Sequence, residues 1–194
     1  PGAVAILSQP RELEGVTSAD LDYARLEVCL LAWRRADQAK NAEEAARWQT
    51  ESTAMVAAIE RSHGAYWTRR AELLLEGYVK SSSGGGDLVM RIRAAESSYR
   101  SGRIDEAVAA YDRARQLATQ IGDTDQAFDL GFTAAAIVRE AGRDREAMSR
   151  FRGLAMSGPS AAKAPQSHRA AIYHAGQLAL DDSQASLQTY AELL

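Results

Sequence analysis

Gly102-Arg103-Ile104-Asp105-Glu106-Ala107, with Tyr111 after it, returns forty positions later as Gly142-Arg143-Asp144-Arg145-Glu146-Ala147, with Phe151 after it. The pair Ala94-Ala95 returns at the same offset as Ala134-Ala135. A fixed period of this size is typical of stacked helical hairpins, because each hairpin is too small to bury its own apolar face. The repeat therefore predicts an all-α fold, an α-solenoid of stacked antiparallel helix hairpins over residues 87–194.

Within the repeat, glycines separate helical patterns. Apolar residues recur at helical spacing from Leu88 to Tyr99 and again from Ala107 to Ile121, on either side of Gly102. Glycine is favoured where a helix ends in a left-handed residue. Gly102, Gly122 and Gly142 are therefore predicted to follow the ends of three successive helices.

This pattern resembles the tetratricopeptide repeat family. The matching residues are small at the helix contacts, glycine at the turn and aromatic in the second helix: Ala95, Tyr99, Gly102, Ala107, Tyr111 and Ala114, then Ala135, Gly142, Ala147 and Phe151. The chain departs from the family in three ways. Arg91 and Gly131 stand where the family has an aromatic residue early in the first helix, and the proline that closes the family's unit is absent. The period is forty residues rather than about 34. The resemblance implies a right-handed superhelix of about nine helices, the last repeat being truncated.

The resemblance also implies where a partner would bind. In that family the first helices of the hairpins line a concave surface that holds an extended peptide or a partner helix. The equivalent positions in this chain are Ile92, Glu96, Tyr99, Arg100, Phe132, Ala136, Arg139, Glu140 and His168. Aromatic residues and arginines dominate interface energetics, but Tyr99 could equally be a core residue. The arginines could equally be solvated helix ends paired with Glu96 or Glu140.

The first eighty residues are less regular. The sequence predicts an irregular arm at 1–16 and a helical layer at 17–80, which begins with the capping-box pattern Thr17-Ser18-Ala19-Asp20. Two helices, to about residue 40 and over 42–63, form a degenerate hairpin, and an extra helix at 66–79 follows with no predicted packing. The run at 81–86 is flexible by composition and is either a simple loop or a hinge between half-domains.

Composition limits the classes of function. The chain has 194 residues and a net charge of −3, and it lacks the clustered basic face that nucleic acid binding requires. No run approaches the roughly 20 apolar residues of a membrane span. Cys29 is the only cysteine and lies in an apolar run, which predicts a small buried group. The absence of disulfides fits the cytosol but does not exclude an exported protein.

The sequence shows no catalytic, metal-binding or cofactor-binding pattern. The three histidines lack metal-ligand spacing, and His63, near a predicted helix end, fits the negative end of the helix dipole. Adjacent acids on a helix diverge by about 100° and cannot flank one bond. The glycines at 84–86 lack the lysine and hydroxyl of a phosphate loop. These observations predict a chain that is not an enzyme and takes no cofactor.

Three roles are compatible with this pattern. The leading hypothesis is a protein-interaction scaffold with a protein or peptide partner, and the alternative is a structural spacer or self-associating segment of a larger protein. A third role, an all-helical enzyme, is open because repeat folds can carry sites, but the sequence shows no such site. The chain starts at Pro1 without methionine and stops at Leu194 inside an apolar pattern. We therefore expect a piece of a longer protein, with a homo-oligomer through the C-terminal helix, which follows a turn at 181–183, as one possible assembly.

Overall fold

The structure is a computed structural model that describes residues 15–81, 86–157 and 164–180, together with Gln188 and Ala191. In these ranges it contains seven helices and no strand: α1 (Ser18–Gln38), α2 (Ala42–Ser81), α3 (Leu88–Arg100), α4 (Ile104–Gln120), α5 (Thr124–Glu140), α6 (Asp144–Ser157) and α7 (Ala164–Leu180). The predicted all-α fold is confirmed.

The helix count is lower than the predicted nine for two reasons. Helix α2 runs through both the predicted helix at 42–63 and the extra helix at 66–79, which meet at a kink where Gly64 has φ 74° and ψ 179°. The predicted last helix, after the turn at 181–183, lies almost wholly outside the described residues, as do residues 1–14 of the predicted arm at 1–16 and residues 82–85 of the predicted linker.

Three turns between successive helices share one hydrogen-bond pattern. The amide of Gly102 donates to the carbonyl of Tyr99 at 2.8 Å, and the next amide donates to the carbonyl of Ser98 at 3.1 Å. The same two bonds occur at Gly122 and Gly142, and φ at the three glycines is 71°, 81° and 73°. A left-handed residue with this bond pair is a Schellman cap. Gly102 and Gly142 are therefore equivalent corners of the repeat, as the period of forty predicts.

The end of α1 has the same cap without a glycine. The amide of Asn41 donates to the carbonyl of Ala36 at 2.9 Å, and the left-handed position is occupied by Lys40, with φ 55°. A side chain in this region costs about 1–2 kcal/mol because its Cβ crowds the following carbonyl. The turn predicted at Asn41 thus belongs to the repeat pattern and carries local strain.

We expect Lys40→Gly to raise the free energy of unfolding by about 1 kcal/mol, since relief of the strain exceeds the added entropy of glycine in the unfolded chain. Urea unfolding followed by far-ultraviolet circular dichroism measures the change. Lys40→Ala is the control, because alanine keeps the Cβ and should give no comparable gain. Equal stabilisation by both variants would mean that loss of the lysine charge, and not the backbone, is responsible.

The chain forms two compact units, the first ending at Ser97 and the second beginning at Ser98, within α3. In the first unit α1 packs against α2. Their shared core includes Leu26, Leu30, Trp33, Val56, Ile59, Ala71 and Leu75. The part of α2 after the kink contributes the last two of these, so the extra helix packs on the same core as the degenerate hairpin.

Several local predictions hold in the first unit. The Thr17 hydroxyl accepts the Asp20 amide at 3.2 Å, and the Asp20 carboxylate accepts the Thr17 amide at 2.9 Å, which completes the capping box. Cys29 is 1% exposed, and burial raises the pKa of its thiol to about 11. His63 does more than face the end of a helix, since its Nε2 lies 2.8 Å from Oδ2 of Asp22 on α1.

Two carboxylates are buried in the first unit within one polar network. Glu76 accepts from the Ser97 hydroxyl at 2.8 Å and pairs with Lys80 at 2.7 Å. Glu72 pairs with Arg69 at 3.3 Å, and Arg69 also donates to the Ser97 carbonyl at 3.2 Å. Because buried charges are stable only when they are paired and hydrogen-bonded, this network explains how α2 holds both acids inside.

In the second unit α4 packs on α5, α5 on α6, and α6 on α7. Its core includes Tyr111, Ala114, Phe128, Ala134, Phe151 and Leu154. Gly131 occupies the position where the resembled family has an aromatic residue. A Cβ there would lie 2.8 Å from the Leu154 side chain and 3.2 Å from Cδ of Arg115. The missing side chain therefore lets Arg115 of α4 and Leu154 of α6 both approach the backbone of α5 at Gly131.

Candidate partner-binding surface

The predicted groove residues fall in both compact units. Ile92 and Glu96 belong to the first unit and are half-buried. The other seven belong to the second unit, where Tyr99, Arg100, Arg139, Glu140 and His168 are exposed and Phe132 and Ala136 are half-buried. Surface residues with aromatic or charged side chains are therefore concentrated at the ends of α3 and α5.

Three of these residues come together in the second unit. The Tyr99 hydroxyl donates a hydrogen bond to Oε2 of Glu140, and Arg139 Nη2 lies 3.9 Å from Oε1 of Glu140. Tyr99 is 36% exposed, so it belongs to the surface rather than the core. Its hydrogen bond to Glu140 and the charge of that carboxylate raise the pKa of the phenol. We name Tyr99, Arg139 and Glu140 the first-helix cluster.

Phe132 has a second role that its position in the repeat did not indicate. Its ring lies 6.5 Å from that of Phe128 and 5.2 Å, edge to face, from that of buried Phe151. The Phe151 ring in turn stacks at 5.9 Å on His174, whose Nδ1 lies 2.9 Å from a carboxylate oxygen of Asp144. Phe132 thus supports the contacts between α5, α6 and α7, and only part of its surface faces solvent.

The structure places His168 apart from these contacts. His168 is exposed near the start of α7. Within the described residues its ring takes part in no hydrogen bond, ion pair or ring contact. The membership of His168 in a partner-binding surface stays a prediction.

A charged ladder on the second helices was not predicted. Arg143 pairs with Asp105 at 2.6 Å and also with Glu146, while Arg150 pairs with Glu146 at 3.0 Å. The two terminal nitrogens of Arg150 also donate three hydrogen bonds, at 3.0 to 3.1 Å, to the two carboxylate oxygens of Asp112. The ladder therefore joins α4 to α6 through five alternating charges.

The sequence does contain a signal for this ladder. Asp105 and Asp112 are seven residues apart on α4, as are Arg143 and Arg150 on α6. Each cross-helix pair is separated by 38 positions, two fewer than the repeat period. Residues seven apart share a helix face, so two acids and two arginines at matching intervals could have indicated the pairing. The two-residue offset comes from packing and could not be read from the repeat.

The ladder should make the stability of the second unit sensitive to acid. Burial raises the pKa of Glu146, but hydrogen bonds from Arg150 and Arg143 outweigh it and hold the pKa below its ordinary 4.5. A carboxyl with a depressed folded pKa stabilises the fold above its unfolded pKa, and this contribution is lost as pH falls through the folded pKa.

We expect Glu146→Gln to lower stability at pH 7 by about 0.5–1 kcal/mol, because the ladder is partly exposed and solvent screens its charges. The difference between Glu146→Gln and the wild type should shrink steadily below about pH 4.5. Urea midpoints measured at several pH values from 7 to 3 check both points. A difference that stayed constant over this range would show that the glutamate acts through packing rather than charge.

The first unit carries an aromatic surface cluster that the sequence also did not reveal. The Arg70 guanidinium lies over the rings of Tyr23, Tyr66 and Trp67, at 4.6, 5.7 and 4.8 Å from their centroids. Tyr66 is 68% exposed. Since Tyr23 is on α1 and the others are on α2, only tertiary packing brings them together. The cluster has the residue types that dominate protein interfaces.

Two other classes of site are absent from the described ranges. There, no three histidine, cysteine, aspartate or glutamate side chains are grouped as ligands of a metal ion. In the same ranges every helix is too short or too polar to span a bilayer.

No protein-family model and no curated protein matches the chain. Among solved structures, the chain is similar to a crystal structure from Podosopora anserina described as a kinesin light chain with nearly identical TPR-like repeats. The two are 14% identical with a TM-score of 0.47, over 88% of this chain and 95% of the other. A likeness at this TM-score carries no argument about the chain. The Schellman turns and the successive packed helices themselves show an all-α fold of repeated helices.

Proposed function

We propose that the chain is a non-catalytic scaffold that binds a peptide or helix of a protein partner through the first helices of its repeats. The observation that carries the proposal is the first-helix cluster, in which two such helices present a phenol, a guanidinium and a carboxylate together. Tyrosine and arginine are the residue types most often found at the energetic centre of interfaces. A surface held in place by its own hydrogen bonds also loses little entropy when a partner binds.

The chemistry of the cluster favours recognition over catalysis. Because the pKa of Tyr99 is raised above its ordinary 10, the phenol is protonated at neutral pH and serves as a hydrogen-bond donor. The donor is already directed at Glu140, and Arg139 lies beside the same carboxylate. Such groups can exchange these contacts for a partner's polar groups without any covalent step.

The test begins with partners captured from the source cell on the immobilised chain and identified by mass spectrometry. The double variant Arg100→Glu, Arg139→Glu should weaken binding of a partner held by this surface by tenfold or more, since it removes two guanidinium groups and reverses the charge at both positions. Arg113→Glu, an exposed change on α4, is the control and should bind normally. If the double variant binds every captured partner as tightly as the wild type, the first-helix surface is not the binding site.

A second candidate function is self-association within a larger protein. The exposed large apolar residues of the second unit include Met156 on α6, at 78%, and Tyr173 on α7, at 61%. Multi-angle light scattering over a hundredfold range of concentration discriminates this from the scaffold. A concentration-dependent dimer that Met156→Lys abolishes would favour self-association, and a monomer at all concentrations would exclude it.

A further inference from the structure

One face of α4 lines a groove of about 590 Å³ in the second unit. The described residues along it lie three or four positions apart on one helical stripe: Asp112, Arg115, Gln116, Thr119 and Gln120. This stripe belongs to a second helix of the repeat and contains none of the residues predicted for the first-helix surface. We name it the Arg115 groove.

Arg115 is the notable charge in this groove. It is half-buried, and its stem lies over Gly131, where a Cβ would meet its Cδ at 3.2 Å and its Nε at 3.3 Å. Within the described residues its guanidinium forms no hydrogen bond or ion pair. Asp112, the acid among the described lining residues, is bound by both terminal nitrogens of Arg150 and not by Arg115. The guanidinium of Arg115 therefore has no partner among the described lining residues.

A partly buried cation without a partner is unfavourable, because burial removes water that would otherwise solvate it. A guanidinium also offers a planar set of donors that matches a carboxylate in two parallel hydrogen bonds. An incoming carboxylate would therefore gain strong, directional bonds to a guanidinium that has no partner among the described residues. The donors of Arg115 favour an anionic group at this point of the groove.

The other lining residues suit a peptide main chain. Gln116 and Gln120 are exposed and one helical turn apart, and each amide side chain can both donate to a peptide carbonyl and accept from a peptide amide. The stripe from Asp112 to Gln120 is about 12 Å long at 1.5 Å per residue. An extended strand rises about 3.3 Å per residue, so the groove accommodates about four residues of extended peptide.

We propose that the Arg115 groove binds an extended, carboxylate-bearing segment of a protein partner. An acidic side chain pairs with Arg115, and the glutamine amides bind the main chain beside it. This gives the repeat a second binding face, on different residues from the first-helix cluster, and it specifies the charge of the partner.

The test uses the full chain and a fluorescein-labelled peptide of eight residues that alternate glutamate with serine. The matched peptide has glutamine in place of every glutamate. We expect fluorescence anisotropy at low salt to show at least tenfold tighter binding of the glutamate peptide, the size that one charge-assisted pair supplies. Amide chemical shifts of the unmodified protein should change along α4 on titration. Equal binding of both peptides, or shifts confined to other helices, would overturn the proposal.

Three variants sharpen the result. Arg115→Met keeps the apolar stem over Gly131 but removes the charge, so it should weaken binding about tenfold with an unchanged circular dichroism spectrum. Arg115→Lys should retain part of the affinity, because its ammonium keeps the charge without the planar fork. Arg113→Met, two residues away and exposed on another face of α4, should leave binding within twofold. An equal loss in both methionine variants would indicate attraction to overall charge and contradict a defined site.

Two outcomes separate this site from other possibilities. Inorganic phosphate that displaced the peptide at millimolar concentration in an Arg115-dependent manner would identify a small-anion site instead of a peptide groove. The Arg100→Glu, Arg139→Glu double variant should bind the glutamate peptide as the wild type does. If it did not, the peptide would be bound at the first-helix surface, and the Arg115 groove would be wrong even though the scaffold function stood.

Discussion

Replacing Phe151 with alanine should lower the free energy of unfolding of the second unit by about 3–5 kcal/mol. Phe151 is 0% exposed, and its ring contacts Phe132 on α5 and His174 on α7. Truncation would remove the transfer free energy of a whole ring and leave a cavity between three helices, which rigid helix packing closes only in part. Urea unfolding followed by circular dichroism at 222 nm measures the loss.

The controls for this prediction lie on the same and the adjoining helix. Met156→Ala, 78% exposed on α6, should change stability by less than about 0.5 kcal/mol. Phe132→Ala should cost less than Phe151→Ala because Phe132 is only half-buried. All three tryptophans, Trp33, Trp48 and Trp67, lie in the first unit, so an unchanged emission maximum confirms that this unit is still folded. A cost for Phe151→Ala no larger than for Met156→Ala would contradict the packing.

Gly131→Leu should be the second most damaging substitution, at about 3 kcal/mol. Even a Cβ at this position would meet the Leu154 side chain at 2.8 Å, and Leu154 is itself 2% exposed and has little room to move. A leucine side chain would force α5 away from α4 and α6 or drive its neighbours out of favourable rotamers. The expected result is a lower urea midpoint and a helical content that is retained below it.

Gly153→Leu is the matched control because it makes the same change in the middle of α6, where an added Cβ would meet nothing within 4 Å. Leucine has the higher helix propensity, so this control should gain about 0.5–1 kcal/mol. The two substitutions thus have opposite expected signs. A gain in stability from Gly131→Leu would show that the three helices do not approach each other at this glycine.

Local signals predicted the helical repeat well. The three glycines of the Schellman caps, the Thr17 capping box and the buried Cys29 all occur where the sequence indicates, because each depends on residues within a few positions of it. Gly64 also lies where the sequence predicts a helix end, and its φ of 74° and ψ of 179° interrupt the helical backbone between the two parts of α2. Lys40 was not predicted, because hydrogen bonds to the preceding helix impose a glycine-like conformation on a lysine there.

The candidate surfaces could be predicted only in part. The repeat period predicted that Tyr99, Arg139 and Glu140 occupy equivalent positions near the ends of first helices. It did not reveal that the Tyr99 hydroxyl donates to Glu140. The ladder through Glu146 and the stack of rings on Arg70 were missed because their members come from different helices. Their distances depend on how one helix is shifted and rotated against the next, which the spacing within a helix does not determine.

Helix ends, turns and the face that each helix buries follow from short-range sterics and hydrogen bonding. These depend on residues that are close in sequence, so the sequence alone determines them. The ring of Phe151 between three helices and the close approach of Leu154 and Arg115 at Gly131 arise only when the helices pack. Packing makes them specific because an interior at crystal-like density admits few relative positions of two helices. Residues far apart in sequence then acquire fixed contacts, as Tyr99 and Glu140 do in the first-helix cluster.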